Sequence, residues 1–364
     1  ATPTVLVPTR RAARALVEAL LEQSETDALL LPDIRPLGDV DEELGFGGAE
    51  AGDAPLTLPP AIEPMHRTLV LAQIIERHAE ATGLTTMSQA QAIALAGELA
   101  ALMDTFAAQD VPLSKLQDVV HREFADHWKE TLTFLEVITD IWPQMLSTLG
   151  LMDPARRRAD LIKATCKRWQ DTPPGAIVAA GSTGSLKATA DMLKTIAGLD
   201  EGTVVLPGLD QQMDDAAWAA CEPAHPQFGL KLLLSRIGME RHAVNVWTHG
   251  KTLPNAEART RLVSEAQRPA ETTDQWKDAD TNLSPIIDDA LTGLTMVSAD
   301  NPQLESLTIA LALREALETP GKTAALVTPD RNLARRVASD LARWGIIVDD
   351  SGGQPLAHTR AGGF

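Results

Sequence analysis

The sequence predicts an α/β protein built on a parallel sheet. Short apolar runs recur at residues 5–7, 177–179, 204–206, 294–297, 324–327 and 346–348, and most are followed by a stretch of helical period. Continuous apolar strands suit a sheet buried on both faces, and crossovers of about a dozen residues or more are needed to cover it. The composition agrees: 364 residues, 44% hydrophobic and 23% charged, are enough for two or three domains. With 32 Lys+Arg against 50 Asp+Glu the formal net charge is -18, so a general basic coat for nucleic acid or anionic lipid is excluded and any polyanion contact must be local. The two cysteines, Cys166 and Cys221, stand in no paired motif. A disulfide framework and a cysteine-rich metal or iron–sulfur site within this chain are thereby excluded, and a reducing, cytoplasmic setting fits. No unbroken apolar run reaches the roughly 18–20 residues that cross a bilayer, and no secretory signal is visible. The chain opens on Ala1 and closes on a Gly-rich stretch at 361–364, and reads as a piece of something longer.

Residues 63–151 carry no convincing strand and read as helices. Leu95, Leu99, Leu102, Met103 and Phe106 fall at helical spacing, as do Trp128, Leu132, Leu135, Ile138 and Trp142, with Pro143 near the end of that second helix. An all-helical block inside an α/β pattern predicts an inserted subdomain. Residues 45–60, rich in Gly, Ala and Pro, and the polar stretch 265–285 read as exposed loops, the second as a domain boundary. The expected organisation is one lobe from 1–62 and 152–285, a helical insert at 63–151, and the beginning of a second lobe at 286–364. No repeat of 20–50 residues is visible.

Strand–loop–helix units are where nucleotides bind. A Walker A loop needs G-x-x-x-x-G-K-[ST] after a strand; the Gly321-Lys322-Thr323 tripeptide lacks the first glycine and lies between a helix and a strand. Gly181-Ser182-Thr183-Gly184-Ser185-Leu186-Lys187 follows the 177–179 strand and opens a helix, a place where free N–H groups hold anions. The plainer reading is a tight turn with Ser or Thr capping the helix. No Asp or Glu occurs between Asp171 and Asp191, so this loop offers no carboxylate to a magnesium ion. Gly208-Leu209-Asp210-Gln211-Gln212, followed by Asp214 and Asp215, supplies three carboxylates in no known metal spacing.

Pro8-Thr9-Arg10-Arg11 and Arg14 place cations in the first turns of a helix, against its dipole. That costs roughly 0.3–1 kcal/mol per charge and is readily understood if a phosphate sits there, although a solvated basic face is equally simple. The eight histidines form no H-E-x-x-H or Ser/His/Asp arrangement, and His127 and His225 read as structural. Trp128, Trp142 and Trp344 fall on apolar faces of predicted helices and read as core.

Taken in order, these pieces resemble a known family. Residues 5–16 resemble motif Ia of UvrD-type superfamily 1 helicases, the helical block occupies the place of their 1B insert, the Gly181 loop that of motif II, and the Gly208–Gln212 stretch that of motif III. Residues 324–350, with Thr328-Pro329-Asp330-Arg331-Asn332-Leu333-Ala334-Arg335-Arg336, resemble the start of a second RecA-like lobe. The phrases at 31–40, 180–185 and 204–210 are together similar to the AddB family, the second subunits of AddAB helicase-nucleases in double-strand break repair.

The resemblance implies a RecA-like lobe with an inserted helical subdomain, a heterodimeric partner bearing the Mg/ATP motor, and contact with single-stranded DNA or broken duplex ends. Motif I would lie upstream of Ala1. The Walker B carboxylates are replaced by Ser, Thr and Gly, which implies no hydrolysis at this site. The family's iron–sulfur nuclease domain has no counterpart here, so no cofactor is expected in this stretch. The resemblance makes Thr9, Arg10, Arg11 and Arg14 the expected DNA contacts, with Lys187, Arg331, Arg335 and Arg336 behind them and no catalytic residue. Two other readings stand beside it. One is a nucleotide-dependent enzyme using residues 181–187 for phosphate and Asp210, Asp214 and Asp215 for magnesium; the other is a protein-docking module.

Overall fold

In a computed structural model of the chain, the structure describes residues 2–24, 29–37, 58–82, 88–115, 137–247, 254–278, 283–353, 359 and 361–362. The Gly/Ala/Pro-rich stretch up to residue 57 lies outside them, as do His127, Trp128, Leu132 and Leu135. The described chain falls into two compact units, 1–290 and 291–364.

The first unit is built on a four-stranded, wholly parallel sheet of order β2-β1-β3-β4, formed by β1 (Thr4–Val7), β2 (Asp33–Pro36), β3 (Ile177–Ala180) and β4 (Gly202–Val205). Three of these are apolar runs of the sequence; β2 escaped because Asp33-Ile34-Arg35-Pro36 lacks a strand's apolar pattern and is tolerated only at an edge. Between β1 and β2 runs α1 (Arg10–Glu22), capped by Thr9, whose hydroxyl accepts the Ala12 N–H at 3.1 Å.

The chain then leaves the sheet for a helical subdomain of α2 (Pro64–Thr82), α3 (Gln89–Ala108), a π turn (Val137–Ile141) and α4 (Trp142–Leu149). Its core joins Ile62, Leu71, Ile75, Ala96, Leu99, Met103, Ile138, Trp142 and Leu146. The buried stripe of α3 is Ala92, Ala96, Leu99 and Met103, whereas Leu95 and Leu102 stay more than a third exposed. The small alanines make the inner face because they let α2 approach closely, a preference that side-chain size alone conceals. Pro143 belongs to the first turn of α4, where its missing N–H breaks no helical hydrogen bond, and not near the helix end. By length and mean hydropathy α3 meets the minimum for a membrane span, yet its Asp104 is paired with Arg67 of α2 at 2.9 Å.

Arg67 is buried and also holds Asp153 at 2.9 Å; the Trp142 indole N–H donates to the other oxygen of that carboxylate at 2.8 Å. Burial pushes the Asp153 carboxyl up, and Arg67 opposes it.

The return to the sheet is α5 (Pro154–Asp171), and α6 (Lys187–Ala197) crosses from β3 to β4. Ile162, Cys166 and Trp169 of α5 and Met192, Leu193 and Ile196 of α6 bury the sheet residues Leu6, Ile177 and Ala179. Gly202 is obligatory at the start of β4, because a Cβ there would lie 1.9 Å from the Ile196 carbonyl oxygen. Beyond β4 come α7 (Asp215–Ala220), α8 (Phe228–Ile237), α9 (Ala256–Ala266), a 3-10 stretch (Ala270–Asp278) and α10 (Ile287–Leu291). The expected loop at 265–285 is thus ordered over much of its length: Arg268 is buried against Asp214 and Glu265, and the Trp276 indole donates to the Glu265 carbonyl at 3.0 Å.

In the second unit α11 (Pro302–Leu317) packs on α12 (Arg331–Ala342) through Ala310, Val337 and Leu341. Trp344 lies just past α12, not on its face, with the Arg314 guanidinium 4.9 Å from its ring centre. The three apolar runs at 294–297, 324–327 and 346–348 are not strands. They are without regular structure and join no ladder among the described residues. Leu326 and Ile346 lean on the helices while Val327 and Ile347 stand over 90% exposed, the in-and-out alternation of a half-buried strand without the neighbour that would make it one.

Replacing Arg67 by Met removes the buried cation that pairs with the part-buried Asp153 and the more exposed Asp104, and is expected to lower stability by about 3 kcal/mol. Urea unfolding of the variant checks this, and a loss under about 1 kcal/mol would contradict the network.

Candidate functional site

Because β1, β3 and β4 are parallel, the loops that follow them all emerge at one edge of the sheet, the place where open α/β sheets present ligand-binding groups. The first two adjoin: a Cβ added to Gly181 would touch the Pro8 ring at 3.5 Å.

Thr9 ends the loop after β1, and Arg10, Arg11 and Arg14 stand in the first turns of α1, all four exposed. Thr9 serves as the N-cap, and the first turn of α1 contains no acidic residue, so the dipole and the arginines sum to a positive point at the sheet edge. Arg10 and Arg11 also interact within the chain.

The loop after β3 is a closed turn. The Ser182 hydroxyl accepts the Gly184 N–H at 3.3 Å, and Gly184 is in the left-handed region with its missing Cβ aimed at Leu233, 2.9 Å away. The helix cap expected from Ser or Thr is not made: the N-cap of α6 is Leu186, with no side-chain hydrogen bond, while Ser182 closes the turn and the Ser185 carbonyl accepts the Gln109 side-chain amide at 3.2 Å.

Lys187 does not point at an open anion site. Its ammonium meets Asp110 at 3.1 Å and Asp191 at 3.4 Å, and the same Asp110 carboxylate takes Lys163 at 2.9 Å and Arg156 at 3.4 Å. Asp110 sits just past α3 in the left-handed conformation, which Asp tolerates better than most residues. Hydrogen bonds from Lys163 and then Lys187 hold its carboxyl below the usual range, and the Asp110 contact holds Lys187 above its own. With Asp160 beside Arg156 and Asp191 beside Lys187, the cluster pairs three cations with three carboxylates. It ties the helical subdomain to the sheet.

The loop after β4 is equally committed. The Asp210 carboxylate accepts the Gln212 and Met213 N–H groups, both at 2.9 Å, Asp214 caps α7 through Ala217 N–H at 2.9 Å and pairs with Arg268, and Asp215 pairs with Arg241 at 2.8 Å. Arg241 is buried, lies over the Trp218 ring and donates to the Asp210 and Met213 carbonyls. Gln211 donates to the Val244 carbonyl at 2.6 Å, and Gly208 accepts from Gln227 through its carbonyl. The three aspartates therefore do not converge as a magnesium site, and no cluster of three or more His, Cys, Asp or Glu side chains suited to a metal occurs among the described residues.

His225 is structural, bridging Gln267, Gln227 and the Cys221 sulfur; burial pushes both thiols, Cys166 and Cys221, upward. In the second unit Arg331 forms a two-pronged pair with Asp350 at 2.9 and 2.7 Å, Arg335 bonds Asn332, and Arg336 is exposed on α12.

Sequence reasoning missed Gln109, Asp110, Arg241 and Arg268. Only Asp110 carries a local signal, a helix ending in Gln-Asp two residues ahead of Pro112. No protein-family model matches the chain, and no curated protein is significantly similar to it.

Asp110→Asn keeps the backbone conformation and removes the charge. Because the folded carboxyl is held below its unfolded value, its contribution is present above the ordinary carboxylate range and disappears as pH falls through the folded value. The variant is expected to be about 1 kcal/mol less stable than the parent at pH 7 and to lose part of that deficit in acid, read by chemical unfolding at both pH values. An equal deficit at the two would contradict the ionic account.

Proposed function

We propose that this chain is a non-hydrolysing, helicase-like scaffold that binds single-stranded DNA at the carboxyl edge of its sheet and docks a separate motor subunit, in the manner of the AddB family. The observation that carries this reading is the contrast between neighbouring loops. After β1, Thr9, Arg10 and Arg11 stand exposed at a helix N-terminus; after β3, where a RecA-like ATPase places its metal-binding acids, Gly181 to Ser185 form a closed turn with no carboxylate. One loop keeps the means to meet a phosphate while its neighbour has none of the groups that orient water and metal.

On this reading the sheet and its helical insert are a RecA-like lobe, and the protein works in double-strand break repair in the cytoplasm, where its two free thiols stay reduced. Mg/ATP belongs to the partner subunit. The net charge of -18 weakens long-range attraction for DNA, so tight binding requires charge supplied by that partner.

The double variant Arg10→Ala/Arg11→Ala is expected to bind single-stranded oligonucleotide more weakly and to lower the salt slope of log K by about 1.4, the release expected for two phosphate contacts. Fluorescence anisotropy over a salt series measures both. Unchanged affinity and slope would remove the assignment.

A further inference from the structure

The turn that joins α7 to α8 gathers soft ligand atoms that the loops after β1 and β3 do not use. α7 is only six residues long, and it brings Met213, just before it, against Cys221, just after it. The Cys221 sulfur lies 3.7 Å from the Met213 thioether sulfur, 3.4 Å from His225 Nδ1 and 3.4 Å from the Ala217 carbonyl oxygen. Met213 and Cys221 are buried, while His225 reaches partway to the surface. A thiol has one proton to donate, and here three acceptors surround it.

The tautomer of His225 is fixed by its own contacts. Nε2 lies 2.7 Å from the Gln267 carbonyl, which can only accept, so the ring proton is there and Nδ1 carries the lone pair. The Gln227 N–H, which donates to Nδ1 at 3.1 Å, agrees. An imidazole that gives its far N–H to a backbone carbonyl is held as metal-ligating histidines are held. Burial pushes the Cys221 thiol up, and the Lys231 and Arg241 cations oppose this by favouring the thiolate, the form that binds metal.

We propose that Met213, Cys221 and His225 form a binding site for copper(I). With metal–sulfur bonds of about 2.3 Å and a metal–imidazole bond of about 2.0 Å, the separations of 3.7 and 3.4 Å correspond to angles of about 105° at the metal. That is ordinary coordination geometry, reached without moving the three side chains apart. A thiolate, a thioether and an imidazole with no carboxylate among them are the donors that soft copper(I) selects, whereas zinc(II) takes thiolate, imidazole and carboxylate and leaves thioethers aside. Binding forms a copper–sulfur bond at Cys221 and releases the thiol proton to solvent, with no change of oxidation state. The Gln227 N–H gives up its share of Nδ1, so the contact that orients His225 in the metal-free chain is the one exchanged.

The test is an anaerobic titration of the full chain with copper(I) held by the chromophoric chelator bathocuproine disulfonate. The parent is expected to withdraw an equivalent of copper and to show the ultraviolet thiolate-to-copper charge-transfer band. Cys221→Ala should abolish both, with the other thiol, Cys166, still present as a control. Met213→Leu keeps the apolar bulk and should weaken the withdrawal roughly tenfold or more, at least the loss that follows removal of an outer-shell partner. If Cys221→Ala does not fold by circular dichroism, His225→Gln takes its place and should weaken the withdrawal as much. No withdrawal by the parent, withdrawal undiminished in a folded variant, or zinc(II) bound more tightly than copper(I) at the same residues would overturn the proposal.

Discussion

Parallel pairing of four short strands is the constraint on which the rest depends. Parallel strands cannot be joined by tight turns, so each connection must travel back across the sheet, and every strand must end at the same edge. The helices α5 and α6 are the consequence on one face, burying Leu6, Ile177 and Ala179 beneath Ile162, Trp169 and Ile196. The gathering of the loops after β1, β3 and β4 is the consequence at the edge. The connection from β2 to β3 is long enough to hold a helical subdomain with its own core, and Gln109 and Asp110 at the end of α3 bring it back to the segment that follows β3.

What the edge does chemically is then set by how its charges are spent. Asp110 reaches the Gly181 loop from the end of α3 and gathers Arg156, Lys163 and Lys187. A lysine that would attract phosphate is thereby turned into an anchor for the helical subdomain. The aspartates after β4 are likewise spent on capping backbone N–H groups and on pairing with Arg241, Arg268 and their neighbours. The arginines at the start of α1 remain exposed, at a helix end whose own dipole adds to their field.

The parts legible in the sequence were those decided by local pattern. The apolar runs of β1, β3 and β4 needed no partner to be recognised, and the helical block showed its period. β2 was illegible because its residues are chosen to blunt an edge, and the buried face of α3 because alanines rather than leucines form its contact. The runs at 294–297, 324–327 and 346–348 have the pattern of strands, but a strand is a relation between two segments, and pattern reports only one. In the site, Thr9 and its arginines could be read directly, whereas the fate of Lys187 could not. Its partner Asp110 lies 77 residues away, and Lys163 lies 53 from that same carboxylate. Ionic partners at such separations are chosen by the fold, and no periodicity announces them.

The central claim is that the turn after β3 is closed and takes no nucleotide. Calorimetric titration of the full chain with magnesium-ATP tests it most directly. The account predicts no saturable heat, since Lys187 is neutralised by Asp110 and Asp191 and no carboxylate lies in the turn. Saturable binding near one to one, abolished by Gly184→Asp, would contradict it and make residues 181–187 a working phosphate site.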